Sequence, residues 1–275
     1  MSSNLSEYSA SDLPVDLQVG LNRVGERIGL FAGRVRYLAA VSSTNDIAAA
    51  LAAAGADEGT TIVADTQSCG RGRRGRLWSS PPGAGLYVSI VARPRLPGDL
   101  LSVFTLAAAV ALAEAVRIST TLAVEIKWPN DLVVGRRKLG GILAEGAGQV
   151  PQYVILGFGI NVRSGGHPAD VASRATSIES ELGKTIDRGA LLGECLARLA
   201  ERYADLLGGR FDAILSCWRT LAPSSVGSAV EWDTADCVKR GTTAGINHRG
   251  ALLVRVGDAI EPIIGGEVRW IEFSG

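Results

Sequence analysis

Between Gly70 and Trp78 the sequence reads GRGRRGRLW, in which Arg71, Arg73, Arg74 and Arg76 are set among three glycines and followed by an indole. Arginine stays protonated at any working pH and offers a planar fork of donors that fits a carboxylate or a phosphate. Interposed glycines let the backbone come close to an anion and let the segment move. Such a stretch suits an anion-gripping lid in a nucleotide-dependent enzyme. Other readings stand beside it. Gly70, Gly72 and Gly75 satisfy G-x-G-x-x-G, but a dinucleotide turn needs its last glycine to open a helix, and RLWSSPPG follows instead. A basic patch with Trp78 stacked on a base would suit nucleic acid, and a solvated charged loop would need no ligand.

Three further clusters carry weaker signals. KWPNDL, Lys127 to Leu132, has a proline that biases Trp128 to an extended backbone, so a strand should end in a rigid turn presenting Asn130 and Asp131. RKLGGILAE places Lys138 at the head of a strand with Gly140 and Gly141 behind it, where something must approach the backbone. GFGINV interrupts an apolar strand with Gly157 and Gly159 just before Asn161. Each taken singly is also what a surface lysine or an ordinary Asn-Asp turn looks like.

The elements that must hold these groups can be read from pattern. SSTNDIAAALAAAG predicts a helix capped by Ser43 or Thr44 and stopped at Gly55. TTIVAD and LYVSIVA predict strands on either side of a long surface loop over 66–85, and a long helix should follow Pro97-Gly98 to about Val116. VEIKW, KLGGILAEG and QYVILGFGINV predict three more strands, separated by a hairpin at Gly135-Arg136 and by GAGQVP. Helical pattern fills roughly 187–221. Hairpins interrupted by long helices imply an α+β fold with a mixed or antiparallel sheet and flanking helices. After Pro223 the chain turns to short alternating strands divided by Gly and Asp/Asn turns, the pattern of a small β-barrel. The expected division is a tail over 1–30 with at most one short helix, a main domain over 31–223 and a β-rich domain over 224–275.

Bulk properties narrow the partners. With 28 basic and 28 acidic side chains there is no global pull toward nucleic acid or anionic lipid, so any basic function must be local. The apolar fraction of 47% supports a sizeable core. The four cysteines form no C-x-x-C pair and only His167 and His248 are present, which argues against a zinc site and for reduced thiols in a cytoplasmic protein. The N-terminus has neither the basic nor the apolar region of a signal peptide. The apolar run over 100–113 falls short of the ~18 residues of a membrane span and reads as a buried helix.

In their order, SSTN (42–45), Gln67, GRGRRGRLW, KWPNDL, KLGGILAE and GFGIN resemble the catalytic domain of biotin protein ligases, and the β-rich segment resembles that family's SH3-like domain. The resemblance runs from about residue 35 to 270. It implies an enzyme that joins biotin to ATP, with Mg²⁺, to give biotinyl-5′-AMP, and then passes biotin to a lysine on the biotin carboxyl carrier domain of an acyl-CoA carboxylase such as acetyl-CoA carboxylase. By resemblance, Ser43, Thr44, Asn45, Gln67, Arg71, Gly72, Arg73, Lys138, Gly141 and Gly157 surround biotin. Arg71, Arg74, Trp78, Asn130, Lys138 and Asn161 serve ATP and the adenylate. Lys138, Arg71 and Arg73 stabilise charge in the reaction, and Asp131 orients Lys138 or takes a proton from the incoming lysine. The loop over 66–80 should close over the intermediate and keep water from it. Fewer than about 40 residues precede the core, less than an independent domain of ~50 residues, so no repressor activity and no DNA binding are expected. Lipoate or octanoyl ligases and transferases are the nearest alternative.

Overall fold

The computed structural model describes residues 12–94, 101–146, 153–165, 171–234 and 237–271. Pro97-Gly98, most of GAGQVP, His167 and the first eleven residues lie outside them.

Residues with alternating or continuous apolar character form the central sheet. Its strands are β1 (Val35–Val41), β2 (Thr61–Gln67), β3 (Gly85–Ala92), β4 (Glu125–Lys127), β5 (Asp131–Val134), β6 (Arg137–Gly146) and β7 (Val154–Asn161). Their order is β1-β2-β3-β7-β6-β5-β4. β1 and β2 run parallel and every other pair is antiparallel, so the sheet is mixed. β3 and β7 lie at its centre and are buried along almost their whole length, which is why both read as unbroken apolar runs. β1 escapes a sequence reading because it is an edge strand: its burial is patchy, and alanines stand where β-branched residues would signal a strand.

One face of the sheet carries α3 (Leu101–Thr120), α5 (Arg188–Leu207) and α6 (Phe211–Leu221); α2 (Thr44–Ala53) packs on the other with Leu38, Ile47, Ile62 and Val91. α3 is buried on nearly all sides between Val103 and Val116. By length and composition it could cross a membrane, yet 67% of its most apolar window lies inside the protein, as expected of a core helix. A short α4 (Ile178–Leu182) follows β7.

Within the span expected as a tail, the described residues pack onto the main core. From Val15 to Val24 the chain forms α1, and a 3-10 segment continues to Phe31. Leu17, Leu21, Ile28 and Phe31 enter the main core. α1 can approach α5 because glycines meet at the crossing: a Cβ on Gly20 would overlap the backbone of Gly189, and one on Gly189 would overlap Asp16. Backbone-to-backbone packing of this kind leaves little apolar periodicity to read, so sequence pattern alone understates the segment.

The second sheet begins at Val226, after a 3-10 turn at Pro223–Ser225. It comprises β8 (Val226–Asp233), β9 (Val238–Ile246), β10 (Leu252–Val256), β11 (Ala259–Ile263) and β12 (Val268–Trp270), all antiparallel in the order β11-β10-β9-β8-β12. This is the short-stranded architecture of an SH3-like unit, although among the described residues β11 and β12 do not pair to close a barrel. Its Trp232, Leu252 and Val254 join the same apolar cluster as α3. Trp128 Nε1 donates to the carbonyl of Gly250 at 2.9 Å, tying the KWPND turn to this sheet.

Candidate active site

Ser43, Thr44 and Asn45 open α2, and all three are buried. Ser43 stands in the N-cap position with extended backbone but makes no capping bond, and its hydroxyl has no partner. Thr44 donates its backbone N–H to Gln67 Oε1 at 2.8 Å, and Gln67 Nε2 donates to Ser80 Oγ at 2.8 Å. Ser89, fully buried in the middle of β3, lies 2.7 Å from Thr44 Oγ1 and donates to Asn45 Oδ1 at 2.5 Å. Asn45 Nδ2 in turn donates to Glu145 Oε2 at 2.8 Å. Both ends of the Asn45 carboxamide are thus fixed, which sets its orientation.

The glycine strand explains itself locally. A Cβ on Gly157 would overlap the Asn45 carboxamide, and one on Gly159 would stand 2.5 Å from Trp78 Nε1. Gly157, which the resemblance sets beside biotin, packs against Asn45, which the resemblance also sets there.

GRGRRGRLW folds as a narrow loop. Trp78 N donates to Gly70 O and Gly72 N to Arg76 O, both at 2.8 Å, and isolated bridges join Arg71 to Leu77 and Gln67 to Ser80. Arg74 (φ +58°) and Gly75 (φ +73°) turn the apex, so the last glycine opens no helix and the dinucleotide reading is excluded. The four guanidinium groups diverge. Arg71 donates to Asp46 at 2.5 Å and to Glu145 at 2.7 Å. Arg73 donates to Asn130 Oδ1 at 3.2 Å. Arg76 grips Glu267, the residue before β12, through both nitrogens at 2.9 and 2.5 Å. Arg74 is exposed. A nucleic-acid patch would present its charges together on one face; here carboxylates offset two of the four.

Trp78 lays its indole over the backbone of Gly141 and Gly159, half-buried, with Nε1 unpartnered. Lys138 Nζ lies 5.4 Å from its ring centre and 2.7 Å from Asp131 Oδ1. The Lys138 backbone is clamped from outside the sheet: its N–H donates to Arg174 O at 2.7 Å, and Thr176 N–H donates to its carbonyl at 2.9 Å. Asn161 Nδ2 donates to Thr176 O at 3.0 Å, and Thr176 Oγ1 bonds Glu181, which also pairs with Arg137. Asn130 is held by an exchange with Ile142 of β6, Nδ2 to the carbonyl at 2.7 Å and Ile142 N–H back to the Asn130 carbonyl at 2.9 Å. The Trp128-Pro129 peptide preceding it is cis.

Electrostatically, one carboxylate serves several cations. Burial holds Arg73 below the ordinary arginine value with Asp131 opposing, and burial likewise lowers Lys127, again opposed by Asp131. Lys138 adds a further positive neighbour to Lys127, whose ammonium rests 4.6 Å from the centre of the Trp270 ring. Arg71 is raised, chiefly by its bond to Asp46 and further by Glu145. Arg73, Lys127 and Lys138 around Asp131 leave a partly desolvated excess of positive charge, which is what a polyanion requires. Among the described residues no three His, Cys, Asp or Glu side chains gather to hold a metal ion.

The structure therefore brings two groups together: Ser43, Thr44, Asn45, Gln67 and Arg71 at the start of α2, and Arg73, Trp78, Asn130, Asp131, Lys138 and Gly141 at the β5–β6 rim. Gly72 lies in the loop between them, and Asn161 sits behind Lys138 through Thr176. Arg74 is not drawn into either group. Sequence reasoning passed over Asp46, Ser89, Glu145, Thr176 and Glu267. Ser89 did leave a signal, a lone hydroxyl in an otherwise apolar strand.

Residues 37–161 match the biotin/lipoate A/B protein ligase family. The chain is 32% identical over 250 residues to the bifunctional ligase/repressor BirA of Bacillus subtilis, covering 90% of this chain and 77% of that protein. It is 33% identical to the biotin–[acetyl-CoA-carboxylase] ligase of Paracoccus denitrificans, covering 79% of this chain and 92% of that one. Among solved structures it superposes on the biotin protein ligase of Aquifex aeolicus in complex with biotin and ATP, with a TM-score of 0.76, 28% identity, and 87% and 99% of the two chains covered. The Leishmania major biotin protein ligase in complex with biotinyl-5-AMP gives a TM-score of 0.60 at 26% identity, covering 87% and 99%. On this similarity along most of its length, the chain belongs to the biotin/lipoate protein ligase family.

Proposed function

We propose that this enzyme activates biotin with ATP and transfers it to a lysine of a carboxyl carrier domain of an acyl-CoA carboxylase in the cytoplasm. The observation that carries the reading is the cationic rim: Lys138 pairs with Asp131 at 2.7 Å, Lys127 stands opposite Asp131 across the β4–β5 pair, and Arg73 bonds the adjacent Asn130. Biotin's carboxylate must be brought against a triphosphate, and two anions repel. Fixed cations aimed at the place where negative charge concentrates lower that barrier.

In the first step a carboxylate oxygen forms a bond to the α-phosphorus, the bond to the bridging oxygen breaks, and pyrophosphate leaves with its electrons. Lys138, held by Asp131 and by the clamp on its backbone, neutralises charge growing on the α-phosphate. Arg71 and Arg73 hold the carboxylate and phosphates, and Trp78 forms a flat wall for the adenylate. Magnesium enters as part of MgATP, bound to the phosphates. Thr44, Asn45 and Gln67 supply donors and acceptors suited to biotin's ureido ring. In the second step the neutral amine of the carrier lysine attacks the acyl carbon, AMP departs, and one proton is lost. On this reading Asp131 orients Lys138 or receives that proton.

Mixing the protein with MgATP and either biotin or lipoate tests this. Biotinyl-AMP with biotin alone, followed by AMP release and biotin attached to an apo-carrier domain, supports the reading. An adenylate formed only with lipoate would transfer the chain to the lipoate branch.

A further inference from the structure

We propose that Glu145 is a positioning residue that ties the amide recognition end of the site to the arginine loop, so that Asn45 and Arg71 are set in register by one carboxylate. Its two oxygens face different elements: Oε2 accepts from Asn45 Nδ2 at 2.8 Å and Oε1 accepts from Arg71 Nη2 at 2.7 Å. No other side chain described in the site bonds both groups. Glu145 stands on β6, so the carboxylate is carried by the rigid sheet while the groups it orders belong to a helix start and a loop.

The chain of contacts is continuous. From Arg71 it runs through Glu145 to Asn45, on to Ser89, Thr44 and Gln67, and ends at Ser80, where the loop returns to the sheet. Proton counting gives it a direction. Asn45 donates to Glu145, so its oxygen must accept, and Ser89 gives its only proton there. The Ser89 oxygen is then free to accept from the Thr44 hydroxyl, which also has Gln67 Oε1 within 3.1 Å, the acceptor of the Thr44 backbone N–H. Asn45 cannot flip without turning its amide oxygen toward the Glu145 carboxylate, acceptor against acceptor. Asp46 also bonds Arg71 but lies on the same helix as Asn45 and reaches no other member. The chemical meaning of this register, a ureido ring at one end and a carboxylate-phosphate junction at the other, rests on the proposed function.

Glu145→Gln tests it, because a glutamine must present its amide hydrogens to either Asn45 or Arg71, both of which already donate. In the ligand-free protein, hydrogen exchange in peptides spanning 70–77 should accelerate about tenfold while Tm stays within about 3 °C of wild type. The reciprocal pair Asn45→Asp with Glu145→Gln restores a donor-acceptor match across the contact and should bring exchange back toward wild type. In the adenylation assay Glu145→Gln should raise the KM for biotin and lower kcat, with the KM for ATP changed least. Unaltered exchange over 70–77 overturns the inference, as does equal acceleration in the reciprocal pair. If wild-type protein forms no biotinyl-AMP, the proposed function falls, while the exchange comparison still decides whether Glu145 orders the loop.

Discussion

Lys138 shows how little of a side chain's role lies in its own chemistry. Its ammonium is set by Asp131 at 2.7 Å and its main chain by residues 174 and 176, more than thirty positions away. Replacing it with alanine should reduce biotinyl-AMP formation at least a hundredfold, the scale for losing one preorganised stabiliser of transition-state charge, ~3 kcal/mol. Biotin affinity, measured by calorimetry without ATP, should fall far less; an equal loss in both would mean Lys138 contributes binding alone. Asp131→Asn should lower adenylation as well, since the neighbouring cations lose the carboxylate they share. The side chains named from the motifs were legible because their types are dictated by anion chemistry. Glu145, Asp46 and Thr176 were not, because a carboxylate or hydroxyl acting through another residue looks like any surface group until its partner is known. Gly157 was legible as a place of close approach, and the Asn45 carboxamide packs there.

At the scale of elements, alternation and capping located most strands and the helices α2, α3, α5 and α6, and the tail was allowed one short helix but no place in the core, whereas β1, β5 and α4 went unread. Edge exposure hides β1, and α1 owes its place to a glycine crossing and to ion pairs. Arg27, in the 3-10 segment after α1, grips Glu194 of α5 with both nitrogens at 3.0 and 2.9 Å, and Arg198 adds a third bond at 2.9 Å. Arg27 above all, with help from Arg198, holds the Glu194 carboxyl below the usual glutamate value. A carboxylate depressed in the folded state contributes stability that is complete above its unfolded value, about 4.3, and is lost as pH falls through the lower folded value. Glu194→Gln should therefore cost about 1–3 kcal/mol at neutral pH, and its stability should fall less steeply than wild type below about pH 4.3. Parallel pH-stability curves for the two proteins would remove Glu194 from the docking of the N-terminal segment. Gly20→Val should be worse still, because it drives side-chain carbon into the Gly189 backbone; overpacking of this kind costs about 1–3 kcal/mol or more, read as a clear drop in Tm.

Across the whole molecule, the second sheet is joined to the site at three points: Trp128 to Gly250, Lys127 over Trp270, and Arg76 to Glu267. These differ in weight. The Arg76–Glu267 pair is largely exposed on the arginine side and should contribute no more than about 1 kcal/mol. The Trp128 bond is buried, and Trp128→Phe leaves the Gly250 carbonyl without its donor, a cost of about 1–3 kcal/mol. Hydrogen exchange should show this as faster opening around residues 246–252, with the central sheet little changed; unchanged exchange there would show that the contact does not anchor the sheet. No sequence pattern announced these links, since each joins positions more than a hundred residues apart. The short β-strands after Pro223 were legible, but their sharing of one apolar core with α3 was not.

The proposed activity has a cationic rim, ordered around Asp131, join biotin's carboxylate to the α-phosphate of ATP. Its most direct test is mass-spectrometric quantification of biotinyl-5′-AMP and pyrophosphate in a single turnover with MgATP and biotin, run side by side on wild type and Lys138→Ala. Near-stoichiometric adenylate in wild type and at most about one hundredth of that rate in the variant is the predicted result. Absence of adenylate in the wild type, or equal rates in both proteins, would contradict it.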